Sequence, residues 1–154
     1  MAEEKKVCEC AAVQMLSRMS TAYTIWLDDM PRAEKVFAPL IDEMVIHLHE
    51  QFQKPGNKLA EKELEDTLNK IEQHHFDAQV GKLTFVRGME TLRNALHQNP
   101  KLRQVFICGT SSQQASDNPL NGEVFKALDI LENGEPVDAK AAFDKIYTEH
   151  TCGA

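Results

Sequence analysis

The chain lacks any run of about 18 uninterrupted apolar residues, so no membrane-spanning helix is expected. No apolar stretch of about 7–15 residues follows Lys5 and Lys6 either, which argues against a secretory leader. Ala2 stands where N-myristoylation requires glycine, and Cys152 is one place short of a prenylation box. These absences make a cytoplasmic location the expectation. Positive charge is also in deficit, with 17 Lys and Arg against 24 Asp and Glu and a net charge of −7. Polyanion binding and adhesion to acidic membranes both need clustered cations. Neither nucleic acid nor a membrane is therefore an expected partner. The one basic window holds Lys82, Arg87, Arg93, Lys101 and Arg103. Its charges scatter around the helix with few aromatics between them, the pattern of a solvated helix pair.

Catalytic fingerprints are equally scarce. There is no phosphate loop, no G-x-G-x-x-G turn, no G-x-S-x-G elbow and no His-Glu-x-x-His helix. No catalytic residue is assigned, and the reading leans away from an enzyme. Four cysteines are present, but Cys8 and Cys10 form one isolated C-x-C, with Cys108 and Cys152 remote from it. A zinc site shows two paired motifs. A core-rich chain of 154 residues needs no disulfide staples. The four thiols read as structural or incidental.

What is present is helical periodicity. Met15, Leu16, Met19, Tyr23, Trp26, Leu27 and Met30 recur at three- and four-residue spacing, predicting a helix over 4–30 that ends at Met30-Pro31. A second helix is expected over 32–53, with Phe37, Leu40, Ile41, Met44 and Leu48 inward. Pro39 should kink it or delay its start to about Ala38. After the breaker at 54–57, a third helix spans about 59–78. A break at 80–84 precedes a fourth helix, which runs to about His97. Pro100 can open a short helix, although 103–108 also suits a strand. The polar run 109–118 reads as a mobile surface loop. Two further amphipathic segments, 119–131 and 136–149, flank Asn133-Gly134, which suits a helix cap with glycine in the left-handed conformation. The expected fold is all-α: one domain over 1–154, a bundle of four main helices plus short C-terminal ones.

Two constellations carry functional weight. On a helical wheel Glu43, His47 and Glu50 fall within about 60° of one another. The spacing i, i+4, i+7 can aim one imidazole and two carboxylates at a transition metal such as zinc, iron or manganese. The bland alternative is a Glu43–His47 pair on the helix surface. Glu72-x-x-His75 has the carboxylate-bridged di-iron spacing, but the second such motif is missing. In a tight antiparallel hairpin His75 would lie level with Val36, about 15 Å from His47 along the axis. The second constellation is Met15, Met19, Tyr23, Trp26 and Met30. Adaptable methionines and aromatic anchors can form a contact surface for another protein or a second copy; packed inward, the same stripe is core.

The string His-Phe-Asp-Ala-Gln-Val-Gly-Lys-Leu, residues 75–83, resembles a segment of truncated haemoglobins downstream of their haem-ligating histidine. Where that family places the ligand, this chain reads Leu64-Glu65-Asp66-Thr67-Leu68, so no residue carries over. The functional expectation is a non-enzymatic regulatory or adaptor protein working through protein contact, with a homodimer as its simplest assembly. A metal- or cofactor-binding bundle is the alternative.

Overall fold

In the computed structural model, which describes residues 8–53, 62–108 and 119–149, the first apolar stripe forms α1 (Cys8–Asp28). Expectations for residues 4–7, 54–57 and 109–118 fall outside the described residues, as do all four cysteine side chains. A single residue turns the chain after α1. The Asp29 N–H donates to the Ile25 carbonyl at 2.7 Å, and its own carbonyl accepts from the Ala33 N–H at 3.0 Å. Its side chain also accepts from the Arg32 N–H at 3.2 Å, the N-cap bond of α2 (Met30–Phe52). Pro31 therefore sits in the first turn of α2, where a missing N–H has no cost, and does not break the chain after Met30. Pro39 lies within α2 without delaying its start. Its ring and Lys35, whose carbonyl loses an amide partner, are on the exposed side.

The chain continues as α3 (Lys62–Gln79), α4 (Phe85–Gln98), α5 (Pro100–Cys108), α6 (Pro119–Asn133) and α7 (Pro136–Glu149). All seven described elements are helices, so the fold is all-α. Gly81, at φ +86°, makes the left-handed turn between α3 and α4. Residues 103–108 are helical because Asn99 caps α5, its Oδ1 accepting from the Lys101 and Leu102 N–H groups at 3.1 Å each. Gly134 follows α6 but is not left-handed. Its N–H bonds to the Ile130 carbonyl at 2.7 Å, which completes an ordinary last turn before Pro136 restarts the chain.

α1 is the central element, packing on α2, α5 and α7, while α3 lies against α4 and α6 against α7. Leu16 and Met19 of α1 meet a core built from Phe37, Leu40, Met44, Met89, Phe106 and Phe143, all fully buried. Each such side chain contributes roughly 1.5–3 kcal/mol relative to exposure. A polar tie joins α1 and α7: the buried Ser17 hydroxyl donates to Asp144 Oδ1 at 2.6 Å.

Gly88 sets how closely α4 approaches its neighbours. A Cβ there would meet Ile41 Cδ1 at 3.2 Å and the His74 carbonyl oxygen at 3.6 Å. Gly88→Leu is expected to lower unfolding stability by about 1–3 kcal/mol through over-packing, read by urea denaturation. Unchanged stability would show that this approach is not a packing constraint.

Candidate functional site

Glu43, His47 and Glu50 share one edge of α2, but each meets a different environment. Arg18 of α1 grips Glu43 through two bonds, Nη1 to Oε1 at 2.9 Å and Nη2 to Oε2 at 3.0 Å. These bonds hold the Glu43 carboxyl below its ordinary pKa. His47 turns the other way and donates its Nε2–H to the Phe106 carbonyl of α5 at 2.8 Å. The Phe106 ring meets the imidazole edge-on at 5.1 Å. Glu50 remains exposed. Among the described residues, no group of three or more His, Cys, Asp or Glu is placed to hold a metal ion. The zinc, iron or manganese reading of this trio therefore gains no support from the geometry.

Glu72 and His75 are nearer to α2 than a tight hairpin predicts. His49 Nδ1 lies 3.1 Å from Glu72 Oε2, and His75 Nε2 lies 3.3 Å from Asp42 Oδ1. His75 is thus level with Asp42 rather than Val36. The register of a tight hairpin does not hold for this pair. Asp42 and His49, not Glu43 and His47, are the α2 residues that face these groups.

A polar cluster that the sequence did not reveal joins α4, α5 and α6. His97 donates its Nδ1–H to Glu132 Oε1 at 2.7 Å and stacks on Phe125 at 4.9 Å. Arg103 covers that same ring, its Cζ 5.1 Å from the centroid. Its Nη1 donates to the Leu96 and His97 carbonyls at 2.8 and 2.9 Å, closing the end of α4. Burial pushes the Arg103 guanidinium pKa down to about 10. Phe125 and Glu132 are seven positions apart on one face of α6, the only local trace of the cluster. Its partners lie far away in sequence. The arrangement clamps helices together.

Of the methionine–aromatic stripe, Met19 and Tyr23 are interior, while Met15 and Trp26 pack half-buried against the core. Arg93 lies over the Tyr23 ring at 5.3 Å, and burial raises the phenol pKa well above its ordinary value. Only Met30, 54% exposed, faces solvent. It has company. Glu34 accepts from the Phe85 and Val86 N–H groups at 2.7 and 2.8 Å, pinning the N-terminal part of α2 to the first turn of α4. The α1–α2 corner and the α3–α4 turn therefore share one end of the molecule. That end carries Leu27, Met30 and Val80, each more than half exposed at 58, 54 and 51%. Asp28, Asp29, Arg32, Lys35 and Lys82 are exposed around it.

Glu34→Ala is expected to cost about 1–3 kcal/mol, because two α4 N–H groups lose a charged acceptor; thermal melts equal to wild type would refute the pinning role. Arg18→Ala tests the Glu43 pair through pH. The folded-state carboxyl titrates below its unfolded value, so the pair stabilises above the usual carboxylate range and its contribution disappears as pH falls through it. Half-exposed partners limit the loss at neutral pH to less than about 1 kcal/mol. At a pH below the folded-state titration, itself lower than the usual carboxylate value, variant and wild type should converge. An equal loss at both pH values would assign the effect to Arg18 packing instead.

No protein-family model, curated protein or solved structure matches this chain.

Proposed function

We propose that the protein performs no chemistry of its own and acts as a helical regulatory or adaptor module. Its contact surface is the end formed by the α1–α2 corner and the α3–α4 turn, and its first partner is a second copy of the chain. The observation that carries this reading is the exposure of Leu27, Met30 and Val80 at that end. Large apolar side chains concentrated on one exposed face mark contact surfaces more often than chance exposure does. The rim supports a like partner. Arg32, Lys35 and Lys82 make no ion pair among the described residues, and neither does Asp28. A two-fold axis through the apolar centre can bring the acids of one copy to the bases of the other. The apolar centre then supplies affinity, and the mixed rim supplies orientation.

Light scattering at micromolar concentrations tests this directly. The unmodified chain is expected to show a concentration-dependent dimer mass. Met30→Glu combined with Val80→Glu should give a monomer with unchanged far-UV helicity, since both side chains are already exposed. A monomer mass for the unmodified chain, or a dimer that survives the double substitution, would overturn the assignment.

A further inference from the structure

At the opposite end of the α3–α4 pair, the first half of α3 and the second half of α4 enclose a cleft of about 440 Å³. That volume lies within the range of small-molecule sites, about 300–1,000 Å³. Among the described residues no Asp or Glu lines it, although the chain carries 24 acids and a net charge of −7. The polar lining is biased towards donors, and the bias follows from the hydrogen bonds around it.

Asn94 meets the Arg93 guanidinium, Nε at 3.1 Å and Nη2 at 3.0 Å. A guanidinium can only donate, so the amide atom facing it is the oxygen. Asn99 is fixed in the same way, because its oxygen must accept the two backbone N–H groups that it caps at 3.1 Å. Both asparagines, which line the cleft, are left with their NH₂ groups to offer. Lys70 adds an ammonium that makes no ion pair among the described residues. The Thr91 hydroxyl accompanies it, and Ile71 and Ala95 supply the apolar part of the wall. The N-terminus of α5, capped by Asn99, adds positive partial charge nearby.

We propose that this cleft binds a small organic oxyanion, with the Asn94 and Asn99 amide nitrogens and the Lys70 ammonium on the anionic headgroup and Ile71 and Ala95 against its apolar body. Phosphate monoesters and carboxylic acids, both anionic at neutral pH, share this chemistry. The site is independent of the apolar end, since it lies at the other extremity of α3 and α4 and uses none of the same residues.

The test is a titration of the full chain followed by amide NMR, with phenyl phosphate, benzoate, benzyl alcohol and benzylamine as probes. Phenyl phosphate, benzoate or both are expected to shift the Asn94 and Asn99 side-chain NH₂ signals saturably, and the tighter of the two identifies the preferred headgroup. Benzyl alcohol and benzylamine should bind at least about tenfold more weakly. Asn94→Asp combined with Asn99→Asp preserves both oxygen contacts, to Arg93 and to the α5 cap, while replacing each remaining donor by a negative oxygen. That variant should keep its fold and lose anion binding by about tenfold or more. No saturable shift with either anion, benzylamine binding as tightly as the anions, or undiminished binding by the double variant would each overturn the proposal.

Discussion

Burial of α1 is the interaction on which the rest of the arrangement depends. Its apolar stripe is too broad for one neighbour, and the structure gives it three, α2, α5 and α7. Leu16 and Met19 have no exposed surface at all. Removing either would open a cavity shared by several helices, and the loss would exceed the transfer free energy of the side chain alone. The remaining helices are secured mainly by their relation to this one. α6 packs on α7 and also meets α4 and α5, and α3 packs on α4 and also meets α2.

Polar residues in this molecule act chiefly at helix ends. Glu34 receives the first N–H groups of α4, Asn99 those of α5, and Arg103 donates to the last carbonyls of α4. Backbone groups at helix termini have no partners within their own helix, so a side chain brought from another element both satisfies them and fixes the angle between the two. The same economy applies to charge. Arg93 and Arg103 lie over the Tyr23 and Phe125 rings, so two cations of an already acidic chain are withdrawn from its open surface.

The helices were legible because a 3.6-residue apolar period is a strong local signal, and Asp29, Gly81 and Asn99 punctuate it where the structure turns. Other features were hidden for identifiable reasons. Leu27 and Met30 continue the α1 stripe in phase with Met19 and Tyr23, yet they are exposed because the neighbouring helices do not cover that end; periodicity reports direction, not the length of a neighbour. The pairing of Asp42 and His49 with α3, in place of Glu43 and His47, depends on the relative register of the two helices and on how they cross. Neither is encoded in the apolar pattern. The left-handed glycine expected at 134 occurs only at Gly81 among the described residues. The sequence marks both as helix ends, but only the chain path decides which one must reverse. The His97 clamp brings together residues 35 positions apart, beyond any local window.

The packing of α1 against α7 also has a consequence for biosynthesis. More than a hundred residues separate the end of α1 from the start of α7. At translation speeds of about 5–20 residues per second, α1 waits several seconds or longer for that neighbour. Throughout that interval a face containing Leu16 and Met19 has only α2, and later α5, to shelter it. The α1 face is therefore open to other contacts until α7 has left the ribosome.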